Sequence, residues 1–443
     1  MAGKKHSFYF LIIIAISSLL LFSCGGGDKA IEKSITICWA EWDPANYLMQ
    51  LVKDFEKETG IAVKSEFIPW GNFQDRVFAE FAAKGDAFDL VIGDSQWLGR
   101  GATEGHYVEL TDFFAKEIKV QELSPATVVA YAEYPKGSKR YWAFPTEGDA
   151  VGWSYRKDLF EAPKEKAAFK KKYGYELVVP KTWEQLRDIA EFFTRPDQNL
   201  YGLAIYTQKD YDGITMGIEN VLFSWGAELG DPSTFKVDGY INSPEAVDAL
   251  DFYMKLYKYA PPDHGNAFWQ ENLDAYKSGL VAMAMNFFAF FPGIVNPNLC
   301  EYAEVTGFFS NPSYNGMSFS ALGGQGMSIV KYSKKQDLAK KFIKWFARED
   351  VQEKWAELGG YTCNVNVLQS ELFLNNTAYN RAFSETMMKV KDFWAVPEYA
   401  ELLEICQRYF NGAVVANQYS AKDALDLIAK EWEIVFREGG YYK

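Results

Sequence analysis

Carboxylates set among aromatic rings are the groups of this chain best suited to chemistry. In the stretch 141–159, YWAFPTEGDAVGWSYRKDL, Asp149 lies among Trp142, Trp153 and Tyr155, a poor setting for a charge unless hydrogen-bond donors meet it. Three other places put a Trp beside hydrogen-bonding groups: Glu41-Trp42-Asp43-Pro44, Pro69-Trp70-Gly71-Asn72 and Asp94-Ser95-Gln96-Trp97. A carboxylate accepts two hydroxyl hydrogen bonds, and a fixed ring covers the weakly apolar face of a sugar at low entropic cost. Recognition of a hydroxylated molecule is the chemistry these residue types support. A glycoside hydrolase needs two carboxylates flanking the scissile bond; Asp94 and Asp149 can be cast as that pair, although nothing in their spacing demands it. A Ser-His-Asp site has little support, because His6 lies in the leader and His106 and His264 have no partner pattern around them.

The elements that must position these groups follow from periodicity. Residues 34–39, SITICW, read as a strand. Asp43 and Pro44 suit the start of a helix; Leu48, Leu51, Val52 and Phe55 keep its period and Gly60 stops it. A second strand over 61–68, a helix with Phe73, Val77, Phe78 and Phe81 on one face, and a third strand over 88–92 follow. Strand, helix, strand, helix, strand predicts a parallel sheet with helices on its faces. Ligands bind such sheets beyond the carboxyl ends of the strands, which is where all three Trp-bearing loops fall. Farther on, Thr182-Trp183-Glu184-Gln185 is a capping box, 201–206 and 281–285 read as strands, 219–226 as an aromatic helix, and Gly323-Gly324-Gln325-Gly326 precedes a strand over 327–330. The last helix is capped by Ser420, with Leu425, Ile428, Trp432 and Val435 on its core face.

The chain has 443 residues, room for two or three domains. A net charge of −13 argues against nucleic acid as the partner, since phosphate binding needs a basic face. Lys4 and Lys5 precede an apolar run, 8–22, that is short for a spanning helix. Its end, Leu21-Phe22-Ser23-Cys24 followed by three glycines, looks like a bacterial lipobox. That resemblance implies a signal peptide over 1–23, lipid on Cys24, a tether over 24–33 and an acyl anchor in a membrane. Cys38, Cys300, Cys363 and Cys406 then remain, with three full pairings open and no zinc spacing.

Segments along nearly the whole mature chain, taken in order, resemble the family 1 extracellular solute-binding proteins, the group of maltose-binding protein and other sugar receptors of ABC importers. They are the Trp42-Asp43-Pro44 loop, Phe55-Glu56-Lys57-Glu58-Thr59-Gly60, Phe88-Asp89-Leu90-Val91, Phe144-Pro145 through Tyr155-Arg156-Lys157-Asp158, Pro180-Lys181-Thr182-Trp183, Ala282-Met283 with Asn286, Gly323-Gly324, Phe342-Ile343-Lys344-Trp345 and Gly359-Gly360-Tyr361. The resemblance implies an α/β two-lobe binding-protein fold, each lobe a mainly parallel sheet flanked by helices, with crossings near Pro145, Gly307 and Gly360. The first lobe would combine 34–145 with 307–360, and the second 146–306 with 361–443. It implies a monomer without catalytic residue, metal or cofactor, which takes up a mono- or oligosaccharide between the lobes and presents it to a membrane permease. By position, Asp149, Asp94, Trp42, Asp43, Gly324 and Gln325 match frequent ligand contacts. Trp70, Gln96, Trp97, Phe288 and Tyr361 complete the expected site, with Phe288 standing near a position where the family often has a stacking Trp. A receptor for a polyamine, a metal or another small solute, and a surface glycoside hydrolase, are the competing readings.

Overall fold

The computed structural model describes residues 33–210 and 212–442. The expected leader, Cys24 and almost all of the expected tether lie outside these described residues.

The first elements form as their periodicity predicts. Strand β1 (Ser34–Ala40) lies between β2 (Ala62–Ile68) and β3 (Leu90–Asp94), all three parallel. The helix between β1 and β2 spans Asp43–Thr59, carries Pro44 in its first turn, buries Leu48, Leu51, Val52 and Phe55, and stops where Gly60 takes a left-handed φ of 67°. The later strands are β4 (Phe144–Arg156), β5 (Tyr201–Ala204), β6 (Val281–Phe287), β7 (Thr306–Phe309), β8 (Ser320–Ile329) and β9 (Val390–Lys391). Their order is β2-β1-β3-β8-β4-β6-β5, with β7 beside β4 and β9 beside β8.

β4 organises both lobes. Its first half pairs with β8, and its second half pairs with β6 on one side and β7 on the other. Phe144 belongs to a core built from 35–144 and 327–355 together with Tyr399, whereas Val151 and Trp153 belong to a second core that also holds Leu425, Ile428 and Trp432 of the last helix. A third apolar cluster, with Tyr131, Ala150, Leu322 and Tyr361, fills the region between them. The mainly parallel expectation holds for β1, β2 and β3 and for β5 with β6. β4 and β8 run antiparallel to each other and to β6 and β3 respectively. The reason is topological: β4 leaves the first lobe and β8 returns to it, so the two point in opposite directions.

That return corrects one expected crossing. Gly307 sits inside β7, opposite Tyr155, and Phe309 and Ala321 belong to the second core. The chain comes back within β8, between Ala321 of the second core and Met327 of the first, so 307–321 pack with the second lobe. Near the third crossing, the Gly148 N–H donates to the Tyr361 carbonyl at 2.7 Å, which lays 360–362 beside β4. The glycine run 323–326 lies inside β8 rather than before a strand, opposite Asp149, Gly148 and Glu147 on one side and Gly93 and Asp94 on the other.

All four described cysteines are free and buried. Cys38 and Cys406 sit in different cores, and Cys300 and Cys363 in the third cluster, so burial rather than pairing accounts for them. No helix among the described residues is long and apolar enough to cross a membrane.

Gly324 has φ +115°, and a Cβ there would lie 2.4 Å from the Glu147 carbonyl oxygen and from the Tyr131 hydroxyl. Gly324→Ala is expected to lower stability by at least about 1–3 kcal/mol, read as a drop in the urea midpoint; an unchanged midpoint would show that the crossing is more pliable than its packing implies.

Candidate functional site

Three neighbouring strands make the floor of a hollow of about 360 Å3. Across β3, β8 and β4 the register sets Asp94, Gln325 and Glu147 side by side, and two residues further along β4 Asp149 faces Gly323. Gln325 is almost fully buried, and its Oε1 accepts the indole N–H of Trp39. Asp94 turns Oδ1 back to the Gln96 N–H at 3.2 Å and the Ser95 hydroxyl at 3.4 Å. Asp149 is 5% exposed; its Oδ1 accepts the N–H of Ala150 at 2.8 Å and of Ala289 at 3.3 Å. Burial outweighs these donors and pushes the Asp149 carboxyl up to about 8. Burial, with the Asp149 charge, holds the Glu147 carboxyl well above the carboxylate range. Both shifts follow from the loss of water around a charge with no cation beside it.

The walls come from opposite lobes. From the first, Trp42 and Trp70 meet edge to face at 5.3 Å and 84°, and the turn of helix Trp70–Ala82 adds Gly71, Gln74 and Asp75. From the second, Trp269 stacks on Phe290 at 4.5 Å and 14°, beside Phe268 and Phe287. The segment after β5 supplies Gln208, Asp210 and Asp212.

Of the residues singled out in the sequence, Asp149, Asp94, Trp42, Trp70, Gly324 and Gln325 line this hollow. The others do not. Asp43 is exposed in the first turn of its helix. Residues 95–97 form a 3-10 turn that buries Gln96 and Trp97, and Trp97 packs on Phe73 at 5.0 Å and Phe78 at 5.8 Å. Phe288 and Tyr361 are buried against each other, the Tyr361 hydroxyl donating to the Phe288 carbonyl at 2.7 Å. The Phe288 ring covers Gly152, where a Cβ would come within 2.4 Å of it. Its neighbours take the place expected of it. β6 ends at Phe287 and 288–290 form a 3-10 turn, so Phe287 and Phe290, three residues apart, fall on one side.

Gln74, Asp75, Gln208, Asp210, Asp212, Phe268 and Trp269 were not singled out from the sequence. For Gln208, Asp210 and Asp212 a signal existed: they follow the carboxyl end of β5, a strand parallel to β6, and the strand-end rule applied to the first lobe reaches them too. For Phe268 and Trp269 there was none, because an aromatic pair before a helix usually belongs to the core. Among the described residues no three His, Cys, Asp or Glu converge as ligands for a metal ion. The arrangement offers carboxylates and amides for hydroxyls, with rings for apolar faces.

The sequence pattern of the bacterial extracellular solute-binding protein family matches residues 41–353. A mannitol-binding protein of Pseudomonas aeruginosa is 25% identical over 320 residues, 71% of this chain and 68% of that protein. Among solved structures, an ABC transporter solute-binding protein of Agrobacterium radiobacter in complex with ribitol is 24% identical, with a TM-score of 0.74 over 91% of this chain and 98% of that one. The maltose-bound MalE3 of T. maritima is 23% identical, with a TM-score of 0.74 over 91% and 99%. The structural likenesses establish a shared two-lobe fold.

The raised Asp149 pKa fixes the sign of a pH effect. Folding tightens proton binding at this carboxyl from an ordinary 3.8 to about 8. Its contribution to stability is full below about pH 4 and is lost as pH rises through about 8, at about 1.4 kcal/mol per pH unit. Asp149→Asn should remove that dependence. The wild-type-minus-variant difference in urea unfolding free energy should fall steadily from pH 4 to pH 8; a constant difference would mean that the carboxyl titrates normally.

Proposed function

The chain belongs to the bacterial extracellular solute-binding proteins, receptors of ABC transporters and not enzymes, and we propose that the solute it captures is a sugar or polyol held between its lobes. One observation carries this reading: Trp42, Trp70 and Asp94 of one lobe and Asp149, Gln208 and Trp269 of the other side line the same hollow. Its volume lies within the roughly 300–1,000 Å3 of small-molecule sites. The mannitol, ribitol and maltose named for the similar proteins are all neutral and hydroxyl-rich, which supports the same choice.

The energetics suffice. Micromolar affinity needs about 8 kcal/mol. Hydrogen bonds to charged groups contribute about 1.5–3 kcal/mol each, so two or three of them with one covered ring face reach that figure. A ligand touching both lobes binds their closed arrangement better than an open one and shifts the population toward it. The permease would then read the closed form. In this proposal the lobes move about the crossings in β4, β8 and 360–362. A lipid on Cys24 would hold the monomeric receptor at the membrane surface, with the family's extracellular character in keeping with that placement.

Mannitol, ribitol and maltose should be screened by thermal shift, where a ligand at a hundred times its Kd adds about 2.7 kcal/mol of stability. At least one should raise the melting temperature, and Trp42→Ala and Asp94→Ala should each weaken it at least tenfold by calorimetry; affinities unmoved by both substitutions would place the site elsewhere. Cys24→Ala expressed in a bacterium should move the protein from the detergent to the aqueous phase of a Triton X-114 partition; detergent partition that survives the substitution would sink the lipid anchor.

A further inference from the structure

The hollow is more acidic than a neutral polyol requires. Asp75, Asp94, Asp149, Asp210 and Asp212 line it, and among the described residues no Lys, Arg or His does. Asp212 is the telling member. It holds the N-cap position of helix Gly213–Ser224, where an Asp ordinarily turns its carboxylate onto an N–H of the first turn. Here the side chain makes no capping bond, is 7% exposed, and leaves Oδ1 without a hydrogen-bond partner among the described residues. A buried, unpaired carboxylate is unfavourable by several kcal/mol and survives only as a neutral acid or against a cation. Burial, then the charges of Asp94 and Asp392, hold its pKa well above the usual range. Capping therefore does not explain this residue, and neither does an ion pair among the described residues.

We propose that the ligand is a hydroxylated molecule carrying a protonated amine, an amino sugar or amino alditol, with its ammonium seated at Asp212 and its hydroxyls shared among the glutamines and the remaining carboxylates. This rests on the reading of the hollow as a sugar or polyol site. An ammonium presents three donors and no acceptor, which matches a wall of acceptors and supplies the charge that the buried acids lack. A divalent cation alone fits less well, since no three acidic or imidazole groups converge. A linear polyamine would answer the acids and the rings but not Gln325. That side chain already gives Oε1 to Trp39, so its amide N–H groups are left to donate, and a hydroxyl oxygen accepts what an ammonium cannot.

The test is calorimetric titration of the purified protein with matched pairs: glucosamine against glucose, and 1-amino-1-deoxysorbitol against sorbitol, with N-acetylglucosamine and spermidine alongside. In at least one pair the amine should bind ten times tighter or more than its neutral partner, and for glucosamine the gain should vanish on N-acetylation. Asp212→Asn should then bring the ratio within the pair below threefold; a ratio that persists would remove Asp212 from the ammonium seat. Neutral members binding as tightly as the amines would overturn this inference while leaving the sugar-site reading intact. Spermidine binding with no hydroxylated compound, or no binding at all, would overturn both. The wild-type pairs decide the question even if the variant does not fold.

Discussion

The hydrogen-bonded ladder between β4 and β8 is the constraint on which the rest of this protein depends. Both strands are continuous across the boundary between the two main cores, so the lobes are joined through paired backbone rather than loose linkers. The pairing, interrupted by an irregularity between Pro145 and Glu147, gives partners to peptide N–H and C=O groups that the boundary buries. The ladder is also where side chains have been removed. A Cβ at Gly323 would meet Phe287 at 2.6 Å, and one at Gly324 would meet the Glu147 carbonyl at 2.4 Å. Bare backbone here gives the hollow its depth and lets the walls of both lobes approach it.

Rings and acids divide the work around that floor. Trp42 and Trp70 present edges and faces from the first lobe; Trp269 and Phe290 form a stacked wall from the second. Between them the buried carboxylates of β4 lie in a setting that favours their neutral form. A fold optimised for stability alone would not bury such groups without cations, and exceptions of this kind gather where a protein binds or reacts. Extensive aromatic cores on either side, with Trp39, Trp153, Trp183 and Trp355 fully buried, give the lobes the stability to carry that cost.

Much of this was legible from residues alone. The alternation of strand and helix up to Asp94, the Gly60 stop and the capping box at Thr182 all follow from local rules that the structure reproduces. Less legible was everything set by phase. Trp97 and Phe288 carry the right chemistry in the right loops, yet each sits in a 3-10 turn that rotates it inward. Sequence distance also hid the return crossing. Gly307 has the residue type of a hinge, but its pairing partner Tyr155 lies 152 positions away, and only that pairing places it inside the second lobe.

The sequence by itself determined the composition of the first sheet, the helix boundaries marked by Pro, Gly and capping side chains, and the family pattern, because each is encoded in neighbours a few residues apart. The tertiary structure alone decided which acids share one hollow, since Asp75, Asp94, Asp149 and the pair Asp210 and Asp212 come from four separate stretches of chain. It also raised the pKa of two of them, Asp149 and Asp212, by burial. A carboxylate's pKa depends on the water and charge around it, and that surrounding is assembled by the crossing of β4 and β8 rather than by any residue next to it in the chain.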